Sequence, residues 1–178
     1  PGPGGRRLPH NNDAEESLPG AMLLSRSAID VASELVSADD FYRPAHGHVY
    51  DAITSLSARG EPVDPVTVAE ELSRADLLDA IGGPGTLPAL QAGTPATSSA
   101  SRYAKIVEEH ALLRGLIGVA GEIAEIGYSL PEDVPKAVDQ AESMMIQRPE
   151  IAAYNTAGSP LLLSSQAVPV PLKKVSKV

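Results

Sequence analysis

Asp40-Phe41-Tyr42-Arg43-Pro44-Ala45-His46-Gly47-His48-Val49-Tyr50, running on through Ile53 to Gly60, and then Val63-Asp64-Pro65-Val66-Thr67-Val68, is the stretch that decides how this chain folds. Pro44 suits a first helical position, where its missing N–H costs nothing. Val49, Tyr50, Ile53 and Leu56 recur at helical spacing behind it, and Gly60 supplies a stop. Asp64-Pro65 is a second helix start, with the Asp side chain as cap and Pro in the first turn. Upstream, Ile29, Ala32, Leu35 and Val36 keep the same period. A further helix should begin after Asn12 or Asp13, with Glu15 and Glu16 as first-turn carboxylates favoured by the positive end of its dipole. Pro19-Gly20 should kink or break it. Downstream, Ile81-Gly82-Gly83-Pro84-Gly85 is a break before a short helix around Leu87 to Leu90. No segment alternates with period two over a useful length, so the fold class is all-α.

From Ser98 the pattern changes. Residues 101–127 hold no proline and predict one helix of about seven turns. It carries two apolar seams. One runs Tyr103, Ile106, His110, Leu113, Ile117, Ala120 and Ala124; the other runs Leu112, Leu116, Val119, Ile123 and Ile126. A single stripe is satisfied by one partner helix, whereas a face this wide needs two. One partner is at hand in Val134, Val138, Ala141 and Met145 beyond Ser129-Leu130-Pro131-Glu132, which has capping-box spacing. The short connection makes the pair antiparallel. The expected architecture is therefore a compact multi-helix subdomain followed by a long antiparallel helical hairpin. In residue terms, 1–9 form a disordered arm, 10–97 the globular subdomain, 98–148 the hairpin and 149–178 a linker or tail.

The bulk chemistry narrows the function. The 178 residues carry a net charge of −9, which opposes a broad contact with nucleic-acid phosphates. Zero Cys excludes disulfides and thiolate metal sites and fits a cytoplasmic protein. No apolar run reaches the roughly 18 residues a membrane span requires. Gly82-Gly83-Pro84-Gly85-Thr86 lacks the lysine of a phosphate-binding loop. His46 and His48 stand two apart, a spacing that does not put them on one helix face. His46 reads as a packing or capping residue with Tyr50 as neighbour. The carboxylates fall in adjacent pairs that point apart and make no acid–base couple. No catalytic, cofactor-binding or metal-binding residue is expected. The unpaired hairpin seam should self-associate through Leu116, Val119, Ile123, Ile126, Met144 and Met145. Tyr128, Leu130 and Val134, at the hairpin's tip, should dock a protein partner.

The same residues carry a family resemblance. Asp40-Phe41-Tyr42, His46, Val49 and Tyr50, then Gly60, Pro62, Asp64 and Thr67, are similar to a signature of the N-terminal domain of bacterial replicative helicases of the DnaB family. So are Pro9-His10-Asn11 with Ala14-Glu15, Ile81-Gly82-Gly83, Thr94-Pro95, Tyr103-Ala104-Lys105-Ile106-Val107-Glu108-Glu109 and Ala111-Leu112-Leu113-Arg114. The chain departs from the family pattern at Pro19 and over residues 150–178. The resemblance implies a collar that forms a homo-oligomer, a hexamer built as a trimer of dimers joined through the hairpins. It implies primase as the docking partner, and ATP with Mg only in a separate motor domain. The alternative is a small all-α regulatory or protein-interaction domain unrelated to helicases.

Overall fold

The computed structural model describes residues 7–146; part of the expected arm and the whole 149–178 segment lie outside the described residues. Among the described residues every regular element is helical: α1 Asn12–Leu24, α2 Arg26–Leu35, α3 Pro44–Ala58, α4 Pro65–Arg74, α5 Thr86–Gly93, α6 Ala100–Tyr128 and α7 Val134–Ile146. Short 3-10 turns at Ala38–Asp40 and Thr97–Ser99 precede α3 and α6. None of these helices is long and apolar enough to cross a membrane.

The helix starts follow their local chemistry. Asn11 caps α1, its side chain accepting from the amide of Ala14 at 3.0 Å. Asp64 caps α4 by accepting from Val66 and Thr67, and the Thr67 hydroxyl accepts in return from the Asp64 amide. That reciprocal arrangement satisfies amides the first turn otherwise leaves open. Gly60 closes α3 at φ 73°, a left-handed conformation that glycine adopts without steric cost.

Two expectations change on contact with the structure. Helix α1 does not break at Pro19-Gly20: it runs through both, and both are buried. The reason is packing against α5. A Cβ at Gly20 would collide with the Leu90 carbonyl and the Thr94 hydroxyl, so glycine lets the two backbones close. Gly20→Ala is therefore expected to destabilise the fold by about 2 kcal/mol or more, because the obstacle is backbone rather than a movable side chain. A thermal melt checks this; an unchanged midpoint would mean that α5 yields freely. The start of α7 also differs. Its first turn is capped by Asp133, which accepts from the Lys136 amide at 3.0 Å. Ser129 instead donates to the Ile126 carbonyl at 2.7 Å, ending α6 rather than opening α7.

The chain divides into two compact units, residues 1–120 and 121–178, with α6 passing from one to the other. In the first, Leu18, Met22, Val49, Ile53, Leu72 and Leu87 form the fully buried centre. Helix α1 packs on α2, α3 and α5, and α3 on α4. The first turns of α6 join this core through Ala100, Ala104 and Val107, with Tyr103 and Ile106 partly buried beside them. Ser98 lies in the 3-10 turn directly ahead of α6. The second unit holds the end of α6, a five-residue connection and α7.

Candidate functional site

Glu15 lies in the first turn of α1, as its sequence position suggests, yet it is only 1% exposed. Its carboxylate crosses to the segment that opens α3. One oxygen accepts from the Tyr42 amide at 2.9 Å, the other from Arg43 at 3.2 Å and from His46 Nδ1 at 3.4 Å. Helix α3 begins with Pro44 and has no side-chain cap of its own, so Glu15 supplies the anion that its amide-rich start favours. Burial pushes this carboxyl up, but the hydrogen bonds from His46, Tyr42 and Arg43 outweigh burial and hold it below the ordinary carboxylate value. His46 is buried as expected, with Glu15 rather than Tyr50 as its polar neighbour. The Tyr50 hydroxyl donates instead to the Val36 carbonyl at 2.6 Å.

A second element meets this one. Tyr42 stacks on His10 with ring centroids 4.1 Å apart and an interplanar angle of 13°. The Arg114 guanidinium lies 5.8 Å from the Tyr42 ring centroid. Arg114 donates to the Pro9 carbonyl at 2.7 Å and to the Asp40 carbonyl. One side chain of α6 therefore holds both the Pro9-His10 segment and the turn ahead of α3, using the planar fork that only arginine offers. Pro9-His10, Glu15, Asp40-Phe41-Tyr42, His46 and Arg114, scattered through the sequence, converge on this one node. From sequence Glu15 had a role only in the first turn of its own helix and Arg114 had none, although both stand inside recognised motifs. The node is a clamp: Glu15 and His46 are sealed from solvent.

Beyond the clamp α6 turns outward. Leu113, Leu116 and Ile117 are each about half exposed, whereas Val119 is only 4% exposed. Leu116 is thus available to a partner in a way that Val119 is not. In the second unit Tyr128 and Leu130 are 82% and 85% exposed, and Val134, Val138 and Met145 are also exposed. Ile123, Ile126 and Met144 are half-buried. Ile123, Ile126, Leu130, Pro131, Val134 and Val138 line one apolar groove of about 420 Å³ between the end of α6 and α7. The structure therefore brings Ile123 and Ile126, read from sequence as self-association residues, together with Leu130 and Val134, read as docking residues. Tyr128 stands outside that lining.

The fold is that of an all-helical domain. The model of the DnaB-like helicase N terminal domain matches residues 7–109, and the chain belongs to that family. It is 42% identical over 142 residues to the replicative DNA helicase DnaC of Bacillus subtilis, covering 80% of this chain and 31% of that protein. It is 47% identical over 141 residues to the replicative DNA helicase DnaB of Mycobacterium leprae, covering 78% of this chain and 23% of that protein. The chain thus spans a third or less of these curated relatives. Among solved structures it is similar to the N-terminal domain of DnaB helicase from Mycobacterium tuberculosis, with a TM-score of 0.73 and 44% identity over 79% of this chain and 99% of that one. A DnaB-like replicative helicase solved for its interactions with primase shares the fold, with a TM-score of 0.62 at 24% identity, over 80% of this chain and 31% of that one.

Proposed function

We propose that this chain is the collar portion of a replicative DNA helicase, which assembles copies of the protein and docks primase during DNA replication. The observation that carries this reading is the apolar surface left on α6 and α7 of a single chain that belongs to the DnaB N-terminal family. The assembly is a homo-oligomer joined through the exposed stripe around Leu116, a dimer that builds a hexamer as a trimer of dimers. The partner surface is the hairpin tip at Tyr128, Leu130 and Val134. ATP hydrolysis and its Mg belong to a motor domain elsewhere in the full protein; among the described residues no group of His, Asp or Glu could hold a metal ion. It works in the cytoplasm and leaves tight nucleic-acid contact to other parts, in keeping with its −9 charge. The choice of partner is supported by the shared fold of a DnaB-like replicative helicase described together with its interactions with primase.

Calorimetry against the helical C-terminal domain of a primase tests the docking site. Replacing Tyr128 and Leu130 with Ser is expected to weaken binding by at least about tenfold, the effect of losing exposed apolar anchors. Helicity and oligomer mass should hold, since both side chains are almost fully exposed. Unaltered affinity would move the docking surface elsewhere on the collar.

A further inference from the structure

We propose that the cavity between α1 and α5 binds an aliphatic primary ammonium, held by Asp13, Glu16 and Ser17 with its carbon chain along Ala89 and Leu90. The site is built within the first unit and does not depend on what the hairpin docks. The cavity measures about 470 Å³ and has no cationic side chain in its lining. Asp13 and Glu16 stand three apart on α1, a spacing that puts them on one helix face, where like charges repel. The positive end of the helix accounts for Asp13 in the first turn but not for Glu16, which lies beyond it. Arg43 approaches Glu16 only at 3.9 Å, with both side chains about half exposed, so that pair neutralises little.

Ser17 is only 8% exposed, yet it lines the cavity. A helical serine can bond back to the carbonyl four residues earlier, as Ser33 does to Ile29 at 2.8 Å in α2. The Ser17 hydroxyl makes no such bond, and among the described residues it has no partner at all. A polar group this nearly buried and idle costs stability unless a guest engages it. Two carboxylates and a hydroxyl offer three accepting groups, and a primary ammonium carries three donors. The same set falls short of the roughly six to eight oxygens that a calcium ion takes. The rest of the lining suits a carbon chain. Ala89 and Leu90 are apolar, and a Cβ placed at Gly93 would meet nothing within 4 Å, so the cavity is open there. A lysine of a protein partner and a free alkylamine share the chemistry that this site accepts.

Saturation-transfer NMR on the full chain, titrated with butylammonium, tests the site. A ligand this small is expected to bind with a Kd on the order of millimolar. Butanol lacks the charge and butyltrimethylammonium lacks the donors, and each should bind at least about tenfold more weakly. Asp13→Asn with Glu16→Gln should cost at least about tenfold, and Ser17→Ala about threefold or more. Gly93→Leu places its side chain in open space, so it should fill the cavity and abolish binding while the thermal midpoint holds. Asp30→Asn with Glu34→Gln, the same charge loss on exposed positions of α2, should change nothing. Equal binding of the three small molecules overturns the proposal, as does undiminished binding in the Asp13 and Glu16 variant or in Gly93→Leu. An equal loss in the α2 variant also overturns it, since only the general field of an acidic chain would then be at work. A blocked lysine separates the two sources of the ammonium. N-acetyl-lysine methylamide binding at least as tightly as butylammonium assigns the cavity to a lysine of a protein partner; binding of butylammonium alone assigns it to a free amine.

Discussion

Glu15→Ala is expected to lower the stability of the chain by about 3 kcal/mol, which at this size displaces the thermal midpoint by roughly 10 °C. The change removes an acceptor from the part-buried amides of Tyr42 and Arg43 and from the buried His46, and leaves all three donors without it. Glu15→Gln should cost less, because the amide oxygen still accepts but the charge at the start of α3 is gone. The pH dependence follows in sign. The carboxyl is held below its ordinary value of 4.5 in the folded protein. Its contribution is therefore complete above that value and is lost as pH falls through the lower folded-state pKa. Urea midpoints taken at pH 7, 5, 4 and 3 should show no Glu15-dependent loss between pH 7 and 5 and then a steeper fall for the parent chain than for Glu15→Gln. Parallel curves would show that some other carboxylate governs the acid limb.

A double change of Leu116 and Ile123 to Asp is expected to convert the oligomer into a folded monomer. Leu116 is half exposed on α6, and a desolvated carboxylate in a helix-to-helix contact costs several kcal/mol unless a partner is supplied. Ile123 lies in the groove, so Leu116→Asp alone separates the two surfaces. If self-association runs along the outer stripe of α6, the single change already dissociates the chain. If it runs through the groove, only the double change does. Light scattering reads the mass and circular dichroism reads the fold. A double variant that keeps the parent mass would mean that the seam closes within one chain.

Much of the fold was legible because its signals are local. Pro44 and Asp64-Pro65 set helix starts by geometry that needs no distant partner, and Gly60 sets a stop in the same way. The long helix was legible from an unbroken apolar period. The errors came where a distant residue decides. Pro19 breaks an isolated helix, but here the close approach of α5 holds α1 continuous, and nothing near residue 19 announces residues 90 and 94. Ser129 and Glu132 have the spacing of a cap, yet Asp133 takes the role once α6 has used the serine. Glu15 read only as a first-turn charge of its own helix because its partners at the opening of α3 lie 27 to 31 residues away. The apolar residues of the hairpin were found without difficulty. Their division into two surfaces was not, because period alone does not show that Ile123 and Leu130 share a groove or that Val119 is covered.

The Arg114 contacts bear on how freely this sequence can drift. The guanidinium holds the carbonyls of Pro9 and Asp40, which are backbone groups that every residue possesses. The side chain at position 9 can therefore change without loosening the bond, so long as the chain keeps its path. Asp40 is less free, because its carboxylate also accepts from the Ser37 amide. Position 114 has no such latitude. A lysine there offers one compact ammonium in place of two splayed donors and gives up the flat face that lies near Tyr42. The two ends of one interaction thus tolerate substitution very unequally, and a pair of loops can diversify for as long as a single arginine stays fixed.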